Sequence, residues 1–420
     1  MLDAESETRV FCYEKKQEAI ALFRLLYVNG SLLEKMAFIA SPLKLRRSIC
    51  FNMEKPRVLH LLSNLSLKSG IARVVVNYVK QTHHCIDYTI VYFDDPRGPS
   101  YLTFLKNIGV ECIYLPRKGF YKRWRRFCNE RFGCFDILHN HHPFLSFLLI
   151  NVKSALGVKR LITHSHVTKH SDSFVKSLRN WFLSIPSSFI SDSLFACSTD
   201  AGKAIFGESF SKKGFILHNA IVLDNFAFSA DNRLKIRKEL GLNNEYLIGH
   251  IGNFTPQKNH LFLVDVFSEI YKNHDNSRLI LVGDGYLRKK VERKVAELRL
   301  TEKVFFLGVR DDIGALLSAM DVFVLPSLFE GLGVVLIEAQ ANGLGCVFSD
   351  VVPEEANIFK EFNREVSLKK TPDCWATALS EFKRQRHYDQ TLMKNSGYDI
   401  FCESKKLIRK YECLIEETQK

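Results

Sequence analysis

DVFVLPSLFEGLG, residues 321–333, is an apolar run that ends in a turn with two glycines, and Glu338 follows Glu330 by eight positions. The run is typical of a buried parallel strand, and ligands bind beyond the carboxyl ends of such strands. The glycines leave backbone N–H groups free to receive an anion at the start of a helix. Two carboxylates beside an anion site favour hydroxyl groups as partners. The stretch therefore predicts an enzyme whose ligand is a nucleotide sugar.

The composition sets the broad class of protein. With 420 residues and 46% hydrophobic residues, the chain is long enough for two domains. No run of about 18 apolar residues occurs, and the acidic, polar start MLDAESETR has no features of a secretory signal. The eleven cysteines are scattered without a Cys-x-x-Cys pair, which favours reduced thiols over disulfides or a zinc site. We therefore expect a cytoplasmic protein without a membrane span.

Short apolar runs alternate with polar or amphipathic segments of helical length from residue 57 onwards. This alternation predicts parallel sheets with crossover helices. It stops at a polar stretch near residues 224–245 and then starts again, so we expect two doubly wound, Rossmann-like α/β domains, residues 53–226 and 227–395, with a cleft between them. For residues 396–420 the apolar spacing predicts a helix that packs back on the first domain. For residues 1–52 we expect an extension outside the core, with Met53 as the candidate functional start.

Two further motifs of the second half fall at strand ends. The turn in GHIGNFTPQKNH, residues 249–260, has Lys258 next to a helix start, where an ammonium group can reach a phosphate. An ordinary surface lysine is the alternative if this motif is considered alone. The strand RLILV ends in Gly283-Asp284-Gly285, which places a flexible loop at the same edge of the sheet. Three loops, including the one with Glu330, are therefore predicted to face one crevice.

The order of these motifs resembles the retaining glycosyltransferases of family four, which have the two-domain GT-B architecture. The resemblance runs from about Met53 to the C-terminus and is most specific in residues 279–350. It implies that Glu330 holds hydroxyls of the donor sugar, that Glu338 holds the ribose, and that Lys258 stabilises the leaving phosphate. It also implies a diphosphate on the backbone after Glu330 and a base beside residues 307–310. The further donor-binding positions are Gly70, Asn253, Gly283, Asp284, Val309, Arg310, Gly331, Leu332 and Gly333.

The same resemblance implies that the first half of the chain forms the side of the cleft that binds the acceptor. Ser69-Gly70-Ile71 is similar to the paired-glycine loop of the family, so the backbone at Gly70 is expected to approach the diphosphate. DILHNHHP, residues 136–143, is similar to a strand-end His-x-His motif and places His141 near the transferred sugar. A neutral imidazole can donate a hydrogen bond to a sugar hydroxyl or accept one from it. We therefore expect His141 to act beside Glu330 and Lys258.

Four histidines at two strand ends also permit a metal site. His164 and His166 end the strand that follows the one with His139 and His141. No Asp-x-Asp or His-Glu-x-x-His motif accompanies them, and the family resemblance implies metal-free transfer. We therefore expect no metal and no other cofactor. For His139 and His142 we expect a hydrogen-bonded place in a pocket wall.

Two positions depart from the family pattern. Asn253 stands where the family usually has arginine, and an amide lacks the charge and the two-pronged geometry of a guanidinium. Arg310 or Arg73 could replace that charge. Ser69 stands in place of one glycine. These departures leave open a catalytically weak GT-B scaffold subunit, and a nucleotide-sugar epimerase or hydrolase of the same fold is a second alternative.

The net charge of +13 is concentrated in one stretch that also contains aromatic residues. RKGFYKRWRRFCNER, from Arg117 to Arg131, has seven basic residues against Glu130 and four aromatic residues between them. This pattern is typical of a segment that binds a membrane surface, where the basic side chains contact anionic headgroups and the aromatic rings lie at the interface. Each basic residue near such a surface contributes about 1 kcal/mol to binding. The alternative is a solvated basic helix whose aromatic residues pack inward. No recognised nucleic-acid-binding module is present, so we expect no nucleic acid partner.

These features lead to one expected function. We expect a retaining, metal-independent hexosyltransferase that moves a sugar from a nucleotide diphosphate, preferably UDP. The expected acceptor is a glycan or a lipid-linked saccharide in the synthesis of a capsule, exopolysaccharide or O-antigen, which follows from the resemblance and the basic stretch. Such a protein would act in the cytoplasm, as a peripheral protein where the basic stretch binds the inner face of the cell membrane.

Overall fold

The computed structural model describes residues 55–417, except residues 68, 97, 168–173 and 383–384. The predicted extension, residues 1–52, and the candidate start at Met53 lie outside the described residues. The described chain contains two sheets in which all paired strands are parallel. We refer to the first sheet with its helices as the first lobe and to the second sheet with its helices as the second lobe.

Seven strands form the first sheet. They are β1 (Arg57–Leu62), β2 (Asp87–Tyr92), β3 (Glu111–Tyr114), β4 (Ile137–Asn140), β5 (Arg160–Ser165), β6 (Ser193–Ala196) and β7 (Gly214–Ile216). Their order across the sheet is β3-β2-β1-β4-β5-β6-β7. The central strands are buried on both faces, which is why β1 is a nearly continuous apolar run, RVLHLL.

Helices connect these strands, as parallel pairing requires. They are α1 (Gly70–Thr82), α2 (Leu102–Asn107), α3 (Phe120–Glu130), α4 (Val152–Leu156), α5 (Phe174–Ser184), α6 (Ser187–Ile190), α7 (Thr199–Phe206) and α8 (Glu208–Lys213). A 3-10 helix, Pro143–Leu149, follows β4. Ser69 caps α1, because its Oγ accepts a hydrogen bond from the N–H of Ala72 at 3.2 Å.

Six strands form the second sheet. They are β8 (Tyr246–Ile251), β9 (Ser277–Val282), β10 (Val304–Gly308), β11 (Val322–Leu325), β12 (Gly345–Ser349) and β13 (Arg364–Val366). Their order is β10-β9-β8-β11-β12-β13, which repeats the order of the first six strands. In both sheets the strand order reverses beside the first strand of the sheet, and this switch point is where such sheets bind ligands.

The helices of the second lobe follow the same alternation. They are α9 (Ala230–Glu239), α10 (His260–Asn273), α11 (Arg288–Glu297), α12 (Ile313–Ala319), α13 (Val334–Ala341), α14 (Pro372–Ser380), α15 (Gln390–Asn395) and α16 (Ile400–Glu416). Three 3-10 helices lie at Leu223–Phe226, Pro256–Lys258 and Glu354–Ala356. No helix in the described part of the chain combines the length and the apolar character that crossing a bilayer requires.

Hydrophobic packing joins the two lobes. One core contains Phe206 and Phe210 of the first lobe together with Phe323, Leu325 and Leu332 of the second. The last helix, α16, crosses back and contributes apolar side chains to the core of the first sheet. These side chains are Ile400, Leu407, Tyr411 and Leu414. The two lobes are therefore joined by a shared core, and α16 packs on the first lobe.

Candidate functional site

The carboxyl ends of both sheets face a cavity of about 260 Å³ between the lobes. The first lobe lines it with the start of α1 and with residues 219–221, and the second lobe with three segments at the ends of β8, β9 and β10 and with the start of α13. Among the lining residues are Gly70, Arg73, Asn219, Asn253, Lys258, Gly283, Val309, Arg310 and Glu338. The cavity therefore brings together residues that the sequence separates by more than 200 positions, and seven of the predicted site residues line it. Glu330 and the glycine turn that follows it are not among the described residues that line the cavity.

Lys258 and Glu330 form an ion pair beside this cavity. Lys258 Nζ lies 2.5 Å from Glu330 Oε1, and both side chains are largely buried. Ser327 Oγ donates to the same oxygen at 2.6 Å, and Gln257 Nε2 donates to Glu330 Oε2 at 3.3 Å. The carboxylate is thus held by three donors in one orientation. Sequence reasoning gave Ser327 and Gln257 no role, although each lies within three positions of a predicted site residue.

The glycine turn before α13 touches the first lobe. Gly331 O accepts a hydrogen bond from Ser198 Oγ at 3.1 Å, and a Cβ on Gly331 would lie only 2.4 Å from His166 O. Gly333, at φ 84°, immediately precedes α13. Leu332 is 2% exposed, and its side chain packs in the shared core. Small residues are therefore needed here because the lobes approach each other closely.

Glu338 is the second buried carboxyl group of the site. It lies on α13 and is 3% exposed. Burial raises the pKa of Glu338 to about 7, although Arg73 and Lys258 act in the opposite direction. Arg73 Nη1, on α1 of the first lobe, lies 3.7 Å from Glu338 Oε1, and nearly half of its side chain is exposed. This loose ion pair joins the two lobes across the cavity.

The loop after β9 packs tightly on the turn after β8. Gly283 adopts φ 136°, and a Cβ there would lie 2.1 Å from Gly252 O. Asp284 O accepts a hydrogen bond from the N–H of Phe254 at 3.1 Å. Asn253 and Gly283 both line the cavity, whereas Asp284 is not among the described residues that line it. The loop therefore presents backbone to the cavity.

Arg310 borders the cavity, but its guanidinium already has partners. Its Nε and Nη2 donate to Asp312 at 2.8 and 2.7 Å, and its Nη1 donates to Glu239 at 2.7 Å. These hydrogen bonds raise the pKa of Arg310 above its usual range. Val309, next to it, is more than half exposed at the rim. Of the two arginines that could replace a missing charge at Asn253, Arg73 has the weaker attachment.

Five histidines, on β1, β4, β5 and on the residues that directly follow β4 and β5, form a buried cluster. His60 Nδ1 lies 2.8 Å from His141 Nε2, and His141 Nδ1 lies 2.9 Å from His166 Nε2. His139 Nε2 lies 3.2 Å from His164 Nδ1. The three strands are neighbours in the sheet, in the order β1-β4-β5, so histidines at matching positions along neighbouring strands lie next to one another. The cluster is therefore a product of strand order.

His141 lies inside this cluster, and it is not among the described residues that line the cavity. Both of its ring nitrogens bond to other histidines, and burial together with those neighbours lowers the pKa of His141 well below its usual value. Its contact with a sugar stays a prediction. His166 lies closer to the glycine turn, and burial lowers its pKa to about 4, although the side chain of Asn219 acts in the opposite direction. Sequence reasoning placed His166 at the correct strand end but gave it no role.

The cluster also contains two groups of three histidines that could supply metal ligands. In each group the ligand atoms lie within 4.8 Å of one another: His60, His139 and His141, and His141, His164 and His166. Imidazoles that bind zinc converge on one point, about 2.0–2.1 Å from each nitrogen. Here the rings of His139 and His141 stack at 4.3 Å, and the nearest nitrogens share hydrogen bonds. This geometry favours a hydrogen-bonded array, and the expected absence of a metal stays a prediction.

Known proteins with similar sequences are glycosyltransferases. The family model for glycosyl transferases group 1 matches residues 232–397. EpsF of Bacillus subtilis, assigned as a glycosyltransferase, is 30% identical over 365 residues, which cover 83% of this chain and 94% of EpsF. The fold and the site between the lobes define a glycosyltransferase of the GT-B architecture. The chain belongs to the group 1 glycosyltransferase family.

Two more comparisons concern the fold and the type of ligand. The UDP-Gal:alpha-D-GlcNAc-diphosphoundecaprenol alpha-1,3-galactosyltransferase of Escherichia coli is 33% identical over 168 residues, 39% of this chain and 43% of that protein. The crystal structure of Anabaena Alr3699/HepE in complex with UDP and glucose matches with a TM-score of 0.69 at 17% identity, over 85% of this chain and 99% of that chain. The predicted fold, two Rossmann-like parallel sheets with a cleft between them, is confirmed.

Proposed function

We propose that the protein is a retaining, metal-independent hexosyltransferase that transfers a sugar from a UDP-sugar to a lipid-linked saccharide during the synthesis of a cell-surface polysaccharide. The observation behind the proposal is the cavity between the lobes, which is lined by Lys258 and the buried carboxyl group of Glu338, with the buried carboxyl group of Glu330 paired to Lys258 beside it. The Escherichia coli relative is named for UDP-Gal and a diphosphoundecaprenol-linked acceptor, and HepE was solved with UDP and glucose. Both names support a UDP-sugar as the donor.

The cavity offers a chemical partner for each part of a UDP-sugar. The diphosphate would lie against backbone N–H groups at Gly333, before α13, and at Gly70, at the start of α1, because helix N-termini favour anions. Glu338 would accept hydrogen bonds from the ribose hydroxyls. Val309, at the rim, would border the base. Lys258 would add positive charge beside the β-phosphate.

Loss of UDP from the donor builds negative charge on the β-phosphate as the bond between C1 and the phosphate oxygen breaks. Groups fixed around that phosphate should therefore make the largest contribution to catalysis. Lys258 is held in place by its 2.5 Å contact with Glu330, which would in turn orient a sugar hydroxyl. The acceptor oxygen would attack C1 on the same face, and the departing phosphate oxygen would take its proton. This mechanism retains the anomeric configuration and needs no side-chain base.

Positive side chains would take the place of a divalent metal in this scheme. Lys258 is already close to the expected position of the phosphate, and Arg73 is held by a 3.7 Å ion pair with Glu338 and by a hydrogen bond with Tyr101. A guanidinium binds phosphate with two parallel hydrogen bonds, a geometry that Asn253 cannot provide. We therefore propose that Arg73 supplies the second positive charge at the diphosphate when the donor binds.

The acceptor would approach along the first lobe, where the basic helix α3 lies. Trp124 and Phe127 of this helix pack inward, whereas Tyr121 is exposed. The outward face of α3 carries the exposed cations Lys122, Arg123, Arg125 and Arg126. Binding of this face to an anionic membrane would bring a lipid-linked acceptor to the cleft. The protein would then act as a peripheral protein on the inner face of the cell membrane.

The test of the donor site is UDP release from UDP-glucose, UDP-galactose and UDP-N-acetylglucosamine, with and without lipid-linked acceptor and with EDTA. We expect acceptor-dependent release that EDTA does not abolish. Glu330→Gln should lower turnover at least about a hundredfold, whereas Glu302→Gln, an exposed glutamate at the opposite edge of the second sheet, should not change it. Nuclear magnetic resonance of the product should show the anomeric configuration of the donor, and an inverted product would refute the retaining mechanism.

The same experiment separates the alternatives. Release of free sugar or of an epimer, with no sugar added to the acceptor, would identify a hydrolase or an epimerase of the same fold. Absence of UDP binding by calorimetry would identify a scaffold subunit. Flotation with vesicles that contain phosphatidylglycerol tests the membrane proposal. Charge reversal of Arg123, Arg125 and Arg126 should abolish binding, and unchanged binding would contradict a role of α3.

A further inference from the structure

A group of large apolar side chains on the first lobe points into solvent. They lie on the 3-10 helix Pro143–Leu149, on α5, on α6 and on the residues that directly follow the first two of these elements. We call them the apolar patch: Phe147, Ile150, Leu178, Trp181, Phe182, Ile185 and Phe189. The exposed fractions of Trp181, Phe182 and Phe189 are 52%, 56% and 79%. Scattered exposed apolar residues are ordinary, but a connected group indicates an interaction surface.

The apolar patch is connected, and its spacing is that of one helix face. Leu178, Trp181, Phe182 and Ile185 follow the i, i+3, i+4, i+7 pattern of an amphipathic helix, yet this stripe is the exposed face. The ring of Phe182 stacks on that of Phe147 at 5.5 Å, which joins α5 to the 3-10 helix. In an isolated soluble protein such a stripe faces the core. Here it lies where a partner can cover it.

The charge around the apolar patch favours an anionic partner. The 3-10 helix, α4 and the basic helix α3 pack over the same hydrophobic core, on one face of the first sheet. Helix α5 carries the exposed cations Lys176 and Arg179 and no acidic residue, and α3 adds its exposed cations. The other described cations of this region are already paired, Lys153 and Arg160 with Asp192 and Lys159 with Asp136. A second copy of the same chain would bring a second basic surface against the first. An anionic lipid bilayer satisfies both the cations and the apolar side chains.

The position of the apolar patch relates it to the acceptor. The chain leaves β4 through His141 and His142 directly into the 3-10 helix, and it leaves β5 through His166 towards α5. The apolar patch therefore lies on the segments that continue from the histidine cluster at the cleft. A bilayer that covers it would lie beside the first-lobe entrance of the cleft.

We infer that the apolar patch inserts into an anionic bilayer, with Trp181, Phe182 and Phe189 below the headgroups and α3 on the bilayer surface. This inference deepens the proposed function, because it rests on a lipid-linked acceptor that stays in the membrane during transfer. It assigns α5 and α6 a binding role that is separate from donor binding. It also makes membrane binding depend on aromatic side chains as well as on charge.

Trp181 provides a direct measurement. The chain has three tryptophans, and the other two, Trp124 and Trp375, are buried at 4% and 0% exposure. In the full-length protein, iodide should quench Trp181 fluorescence, and vesicles of phosphatidylglycerol and phosphatidylethanolamine should protect it. The same vesicles with brominated acyl chains should quench it, and Trp181→Phe should remove this response. Absence of quenching by brominated lipid would overturn the inference, as would protection from iodide before any vesicle is added.

Substitutions separate insertion from charge attraction. Trp181→Ser, Phe182→Ser and Phe189→Ser together should lower vesicle affinity in flotation at least about tenfold. A matched triple variant changes exposed apolar residues outside the first lobe: Leu234→Ser, Tyr388→Ser and Leu392→Ser. This control should bind as the unaltered protein does. Equal binding by all three proteins would overturn the inference.

Two readouts distinguish this inference from its alternatives and from the proposed function. Light scattering should show the same mass for the unaltered protein and the patch variant, whereas a dimer that the patch variant loses would identify a second copy as the occupant. UDP release with a water-soluble acceptor should be the same for both proteins. If membrane insertion is found without any sugar transfer, the proposed function fails and the apolar patch stands. If transfer is found without insertion, only the apolar patch fails.

Discussion

Binding of a UDP-sugar should release a proton from Glu338. In the free protein, burial raises the pKa of this carboxyl group to about 7, so a substantial fraction is protonated at neutral pH. Ribose hydroxyls that donate to the carboxylate would favour its ionised form. The phosphates of a UDP-sugar are both esterified and keep a constant charge near neutral pH. The proton released on binding would therefore come from the protein.

The size of the effect follows from the pKa. With a pKa of about 7 in the free protein and an ordinary value in the complex, binding releases about half a proton at pH 7 and about 0.9 at pH 6. Because the ionised form binds, affinity should rise about tenfold between pH 6 and pH 8 and then level off. Burial lowers the pKa of His166 and His250 to about 4, so these neighbours stay neutral over this range.

Calorimetry in buffers of different ionisation enthalpy measures the released proton. Titrations at pH 6, 7 and 8 with the UDP-sugar that binds best should give both the proton number and the pH dependence of affinity. Glu338→Gln should bind more weakly and release no proton. Glu302→Gln is the matched control and should behave as the unaltered protein does. Equal affinity at pH 6 and pH 8, or proton release that persists in Glu338→Gln, would refute the reasoning.

The remaining predictions concern stability and the glycines of the cleft. In the folded protein the pKa of Glu338 is about 7, above its ordinary value of 4.5. The free energy of unfolding should therefore be unaffected by this group below pH 4.5, fall as the pH rises towards 7, and be lower by about 3 kcal/mol above pH 7. Glu338→Gln should recover the lost stability in urea unfolding at pH 8. Lys258→Met leaves the carboxylate of Glu330 buried without its cation and should cost about 3–5 kcal/mol, whereas adding Glu330→Gln should restore stability but not activity. Gly331→Ala should lower turnover at least about tenfold with normal folding, because the new Cβ meets the first lobe at 2.4 Å. Gly70→Ala has no atom within 4 Å of its Cβ, so the free protein should be at least as stable as before, and a weaker affinity for UDP-sugar would place the diphosphate at Gly70.

The fold could be predicted because its signals are local. Buried parallel strands such as β1 and β11 are continuous apolar runs, and each is followed within a few residues by a glycine or a polar turn. The most specific motifs of the resemblance lie in the second half and in chain order, so the site at the edge of the second sheet could be predicted from the sequence. The predicted residues Lys258, Glu330 and Glu338 lie together for this reason.

Those contacts of the site residues that come from distant parts of the chain could not be predicted. Arg310 is held by Glu239, 71 positions away, which no local pattern reveals. The contact between His60 and His141 joins residues 81 positions apart, because β1 and β4 are neighbours in the sheet. The sequence shows histidine pairs at strand ends, but strand order decides which of these histidines contact one another.

The charges of the free cleft are already paired, and this has a consequence for the reaction. Lys258 is paired with Glu330, and Arg73 is paired with Glu338. A donor that brings a diphosphate and hydroxyl groups lets each cation turn to a phosphate while each carboxyl group turns to a hydroxyl. No charge is left buried without a partner at any stage, which is the condition for keeping such groups in a closed site. The weaker Arg73 pair links the two lobes, so it should be the first to exchange, and the affinity for the donor should therefore depend on Arg73 more than on Arg310.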